Sequence, residues 1–412
     1  MPTPSLLIVP ARFKSGKLYS QLPTSGAGDF TVTRATNATR VNSAGLIESV
    51  ASGIPRLDYF ASGGTVGCPA LLVEPAATNL VPNGVGFNAQ TGVQTSGVTD
   101  SPAVAISGTL ATKNEASGTI RYANQTFSAT ALASGTTYSV SRFFKYNGVA
   151  FTTSLQRNDA LQWGSVGWQQ DIVLSAASGV TLGASTLCTG SIENFGNGWY
   201  RVNVRVTTGA TIGGSATVQV LSILPAALST GQGFLIACPQ LETGSVATSY
   251  IPTTTAAVTR NADVISVSGA VSGSIGQTQG TIYLDLTVLG KGSSSAIRWV
   301  QIFGPSDNIG LAINSSNLFR SIVNTQSDTL LTAPLISSGV KVAWAYDATG
   351  TTCFINGTQY TLTTGGNQTM SSLTSISIDG SANTAFGFAR IRAAALYNTR
   401  LTNAELAALT SL

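Results

Sequence analysis

The sequence predicts an all-β chain: an extended, irregular N-terminal segment, two β-sandwich domains of jelly-roll type, and one short C-terminal helix. Three observations carry that prediction. Short β-branched and aromatic runs recur along the whole chain, cut by turn formers that include 44 Gly and 14 Pro. Hydrophobic residues make up 43% of the chain, which is enough to fill packed cores. The length of 412 residues suits two or three domains rather than one.

Residues 1–85 form the irregular segment. Turn signals are dense there, at Ser15-Gly16, Ser25 to Asp29, Asn42 to Gly45 and Ser62 to Gly64, with only short strands such as Phe30 to Val32 and Leu71 to Val73 between them. Pro55, Pro69, Pro75 and Pro82 favour extended backbone. A segment of this kind buries little by itself, so its ordering requires a partner surface.

Residues 86–255 read as the first sandwich. After the Asn197-Gly198 turn, Trp199 to Val206 alternates. Tyr200, Val202, Val204 and Val206 share one face and should point to the core. Trp199, Arg201, Asn203 and Arg205 share the other, which should meet solvent, a ligand or a neighbouring chain. Ser249 to Ala257 lacks Gly and reads as an extended connector.

Residues 262–412 read as the second sandwich. Ile282, Leu284, Leu286 and Val288 alternate inward, as do Val342, Trp344 and Tyr346. Asn356-Gly357 favours a tight type I′ hairpin. In the closing helix Thr402 and Glu405 form a capping box, Leu401 and Leu406 a hydrophobic staple, and Leu409 extends the apolar stripe. So short a helix must dock on the sandwich to persist.

The charge pattern narrows the function classes. Net charge is +4, from 21 basic and 17 acidic residues, with no Lys/Arg run, so no nucleic-acid partner is expected. Met1-Pro2-Thr3-Pro4 lacks the pattern of a signal peptide, and Leu6 to Val9 is too short to span a bilayer, so neither export by the ordinary route nor membrane insertion is expected. Cys68, Cys188, Cys238 and Cys353 contain no C-x-x-C pair and indicate no zinc site; the sequence leaves their disulfide state open. Cys238, in a strand-like run, reads as a small buried hydrophobe.

Three blocks resemble known proteins. Gly28 to Ser49, Pro55-Arg-Leu-Asp-Tyr59 and Cys68 to Leu80 are similar to the leader of bacteriophage virion structural proteins of the tail-fibre or head-fibre type, as in crAss-like phages. Gly196 to Val204, with Pro239 to Pro252, resembles the jelly-roll carbohydrate-binding modules of the same proteins. Trp344 to Asp347, Phe388 to Arg392 and Leu396 to Leu406 are similar to laminin-G-like or concanavalin-like sandwiches. The resemblance implies a virion location, docking onto capsid or tail through the N-terminal segment, homo-oligomers (trimers by family), and display of lectin-like domains for host attachment. A dedicated adhesin for host surface glycan is the alternative, and a polysaccharide depolymerase a third reading.

The chain contains no histidine, which removes histidine-activated nucleophiles and histidine-ligated metals. A glycosidase can work with two carboxylates alone, but no clustered E-x-D-x-x-E strand occurs; Asp285, Glu193 and Glu242 stand singly. The expectation is therefore that the chain is not an enzyme and carries no cofactor. Asp307-Asn308 and Asp379 are the only oxygen donors suggestive of calcium. For glycan binding the candidate platforms are Tyr146, Trp163, Trp168 and Trp199, near Asn147, Gln169, Gln170 and Asn203. Trp163 and Trp168 flank Gly164 and Gly167 in a loop-like run. The competing reading, core or interface filling, is favoured because aromatics dominate both.

Overall fold

A computed structural model describes residues 2–60, 66–82, 98–101, 111–115, 121–126, 132–148, 150–157, 163–212, 217–222, 233–290, 297–313, 319–323, 326–329, 339–361, 370, 372–378 and 388–411. Among these the architecture is all-β, with paired antiparallel sheets and a single α-helix.

The middle sandwich packs a six-stranded sheet on a five-stranded one. At the centre of the larger sheet, Thr137–Asn147 pairs with Gly233–Thr243 on one side and Trp199–Thr207 on the other, with Thr189–Gly196 at the edge. Val202, Val204 and Val206 point inward and are buried, as alternation requires. Asn197 and Gly198 both take positive φ, 52° and 77°, at the turn that opens this strand.

The second sandwich has an eight-stranded and a nine-stranded sheet. Ile282, Leu284, Leu286 and Val288 line its core with Val342, Trp344 and Tyr346. Asn356 and Gly357 (φ 48° and 80°) turn Gly350–Ile355 into Thr358–Thr361. The helix Asn403–Thr410 carries the full capping box, with the Glu405 N–H donating to Thr402 Oγ1 and the Thr402 N–H donating to the Glu405 carboxylate. Leu401 and Leu406 pack on Ala343 and Ala345, the outward residues of Gly339–Asp347. Under the helix that strand is buried on both faces, and its outward residues there, Ala343 and Ala345, are alanines.

Residues 1–85 are where sequence and structure part. Their described residues, 2–60 and 66–82, include strands that pair within the second sandwich. Leu6–Ile8 and Val66–Val73 both pair with Phe388–Tyr397, and Leu57–Phe60 extends that sheet. Phe30–Thr33 pairs with Val264–Ser268 in the opposite sheet. Leu6, Ile8, Phe30, Val32, Leu71 and Val73 belong to the same core as the C-terminal residues. The partner surface that the segment needs is the chain's own second sandwich. Apart from Val66–Val73, these runs of three or four residues are too short to display a period, so the sequence hides their membership. A two-stranded ribbon, Ala77–Asn79 with Val258–Arg260, forms the neck through which the chain leaves for the middle sandwich and returns.

Candidate functional site

At the neck lies a buried ionic cluster. Arg56 Nη1 donates to Glu74 Oε2 at 2.6 Å, and Arg260 Nη1 reaches the same oxygen at 2.6 Å. Arg34 Nη1 meets Asp263 Oδ1 at 2.8 Å, and Arg56 Nη2 donates to Asp263 Oδ2. The side chains involved are at most 2% exposed. Ser249 adds its N–H to Glu74 Oε1 at 2.7 Å and its hydroxyl to Oε2 at 2.6 Å. Burial works against ionising Glu74, but Arg260, Arg56 and the Ser249 hydrogen bonds hold its pKa down to about 2. Burial dominates at Glu242 and raises its pKa, despite hydrogen bonds from Thr248 and the nearby Arg201 and Arg260.

Neighbouring amides extend the lock. Asn79 Nδ2 donates to the carbonyls of Pro239 (3.0 Å) and Ile251 (2.9 Å), and the Ile251 N–H donates to Gln240 Oε1 (2.7 Å). Arg34, Arg56, Glu74, Asn79, Gln240 and Ser249 are all residues of the blocks that carry the family resemblance. Their role here is to fasten the first 85 residues, the connector and both sandwiches together.

Beside this lock opens a cleft of about 800 Å³ between the sandwiches. One wall is the outward face of Thr189–Gly196 and Trp199–Thr207, giving Glu193, Asn194, Arg201 and Asn203. The opposite wall comes from the second sandwich and the first 85 residues, with Phe60, Arg390 and Arg392. Phe195 sits between Phe60 (4.6 Å between ring centroids) and Phe143 (4.8 Å, edge-on). The Arg390 guanidinium lies 4.3 Å from the Phe60 ring centre and donates from Nε to Asp58 at 2.6 Å. Arg201 is buried, donates to Ser141 Oγ (3.0 Å) and the Thr248 carbonyl (2.6 Å), and lies 5.7 Å from the Phe143 ring centre. The arrangement combines an aromatic side with amide, carboxylate and guanidinium groups, which is the chemistry needed to bind a polar, hydroxyl-rich ligand.

None of the four aromatic candidates from the sequence lines this cleft. Trp163 and Trp168 are 0% exposed and meet edge-on at 5.2 Å inside the middle core, so neither offers a ring face to a sugar. Their flanking glycines serve backbone packing instead of exposure. A Cβ on Gly164 would stand 2.6 Å from Gly209 Cα, so the close approach of these two segments folds the tryptophans inward. Trp199 is buried under the hairpin formed by Ala38–Val41 and Ile47–Val50, packed with Val41, Ile47 and Tyr250. Tyr146 is half-buried against the middle core. The signal that did lead to the cleft was the outward face of Trp199–Thr207: Arg201 and Asn203 line it, facing another part of the same chain. Phe60, Arg390 and Arg392 carry no local signal.

The four cysteines form no disulfide. Asp307 accepts from the Ser372 N–H and hydroxyl, both at 3.1 Å, while Asp379 lies outside the described residues. No helix among the described residues is long and apolar enough to cross a membrane.

No family model matches the chain, and no curated protein does. Solved structures do. The CBM40 module of the Ruminococcus gnavus IT-sialidase, bound to α2,3-sialyllactose, is similar at 16% identity and a TM-score of 0.30, over 34% of this chain and 88% of that one. Trypanosoma rangeli sialidase is similar at 11% identity and a TM-score of 0.30, over 96% of this chain and 82% of that one. With an enzyme among the similar structures the expectation that the chain is not an enzyme is withdrawn, and no activity is argued from the likeness. At such a TM-score the likeness assigns no reaction, substrate or residue; it sits alongside a β-sandwich architecture that the strand pairing establishes independently.

Proposed function

We propose that the chain is a surface-attachment protein of a phage particle, carrying a saccharide-binding cleft between its two sandwiches. The observation that supports the saccharide half is the cleft: its volume of about 800 Å³ suits a small oligosaccharide, and aromatic, amide, carboxylate and guanidinium groups converge in it. The virion half rests on the resemblance of the leader and middle blocks. Because strands among residues 2–60 and 66–82 are built into the folded body, docking to capsid or tail proceeds through that body's outer faces and not through a free arm. Trimeric display, which the resemblance also implies, raises the value of a weak site through effective concentration.

A glycan array followed by calorimetry on the 412-residue protein tests the saccharide half. Binding that Phe60→Ala and Asn203→Ala each weaken about tenfold supports it; no binding at millimolar sugar overturns it. Antibody labelling of intact particles in the electron microscope tests the virion half, and unlabelled particles overturn that half alone.

A further inference from the structure

Resting on the reading of the cleft as a saccharide site, we propose that its ligand carries a carboxylate and that Arg201 receives it. Four guanidinium groups border the cleft, and three already have carboxylates. Arg40 Nε pairs with Glu48 at 2.7 Å, Arg390 Nε with Asp58 at 2.6 Å and Arg392 Nε with Asp285 at 2.8 Å. Arg201 forms no ion pair among the described residues. It is 5% exposed, and its Nε–H is buried without an acceptor. Glu242, a nearby buried carboxylate, is engaged instead by the Thr248 N–H (2.8 Å) and Gln240 Nε2 (2.7 Å).

A buried cation that touches no carboxylate is held at a cost, and an anion arriving in the cleft lowers it. The fork is also fixed in advance. Hydrogen bonds to Ser141 and Thr248 and the Phe143 ring hold the guanidinium, so little side-chain freedom is lost on binding. A planar guanidinium with donors unspent matches a carboxylate in shape as well as charge.

Glu193 sharpens the selectivity. It is the cross-strand partner of Arg201 in the register, lines the same cleft and makes no ion pair among the described residues. Its carboxylate accepts hydrogen bonds from sugar hydroxyls and repels ligands of high charge density. The site therefore prefers a saccharide with isolated carboxylates over a densely sulfated polymer.

The test is calorimetry of the full chain against trigalacturonate and against the same trisaccharide with its carboxyls reduced to alcohols. The acidic form is expected to bind about tenfold or more tightly, as a charge-assisted hydrogen bond implies. Arg201→Gln is expected to erase the difference, Arg201→Lys to keep part of it, and Glu193→Gln to tighten acidic binding. Equal affinity for the two trisaccharides, or a preference that survives Arg201→Gln, overturns this proposal and leaves the saccharide reading standing. Binding of neither trisaccharide alongside binding of a neutral glycan from the array does the same; binding of no glycan at all overturns both. If Arg201→Gln does not fold, the comparison of the two trisaccharides on the unaltered chain decides alone.

Discussion

Arg56 and Glu74 meet at 2.6 Å with both side chains at most 1% exposed, and through them the first sheet strands are tied to the neck. Removing one partner strands the other charge in the interior. Glu74→Gln or Arg56→Met is therefore expected to lower unfolding stability by about 3–5 kcal/mol. Urea denaturation measures this, and a loss under about 1 kcal/mol would mean that the cluster is not a lock.

Acid should open the same lock, and the direction follows from the two carboxylates. Glu74 has a folded pKa depressed to about 2, below its ordinary value near 4.5, so its stabilisation is complete above 4.5 and disappears as pH falls toward 2. Glu242 is shifted upward, so lowering pH toward 4.5 relieves strain there instead of adding it. Stability should hold or rise slightly down to about pH 4.5, then fall steeply between 4.5 and 2. Thermal melts across pH 2–8 show it, and Glu74→Gln should flatten the acid limb.

Gly164 takes φ +67° and faces Gly209 with no room for a side chain. Gly164→Ala is expected to cost more than about 1 kcal/mol from backbone conformation alone, with the clash added. Near-ultraviolet circular dichroism should change as well, since Trp163 follows the backbone. An unchanged melt and spectrum would refute the packing role given to this glycine.

The C-terminal helix separates local from tertiary stabilisation. Thr402→Ala removes the cap and is expected to cost about 1 kcal/mol. Leu406→Ala, at a side chain 0% exposed against Ala343 and Ala345, is expected to cost about 2–5 kcal/mol. Chemical denaturation of both variants gives the ranking, and equal effects would contradict the docked arrangement.

Thiol chemistry should distinguish the cysteines. Cys68 is exposed and should react with a thiol reagent in the native state. Cys353 is fully buried, and burial pushes its thiol up, so it should react only on unfolding. Reductant should leave the melting temperature unchanged; a shift would reveal a disulfide.

What the sequence disclosed follows from the length of each pattern. The strand Gly280–Gly290 alternates for long enough to name its inward residues, and the Thr402–Glu405 box fixes the helix start with local chemistry alone. The first 85 residues were harder to read because most of their strands are two to four residues long, too short to show a period, and some partners lie more than two hundred residues away, as Leu396 does for Leu6 and Ile265 for Val32. Trp163 and Trp168 were placed in a loop for a related reason: Gly next to Trp reads as exposed, while here Gly164 permits a tight backbone crossing beside buried rings. The cleft was half legible. Arg201 and Asn203 declared an outward face, but Phe60 and Arg390 reach it only through the folding of distant segments.

The neck ribbon has a consequence for how the molecule is made. Leu6 pairs with Leu396, so the outer sandwich is interrupted by the middle one and its first strands must wait for its last. At about 5–20 residues per second, the ribosome separates the two by roughly 20–80 s. During that interval the middle sandwich, whose described strand pairings lie between residues 98 and 243, can fold alone. The early strands meanwhile keep open edges, the most aggregation-prone state of a β-chain. Translation speed and chaperone capture should therefore govern the yield of the outer sandwich far more than that of the inserted one.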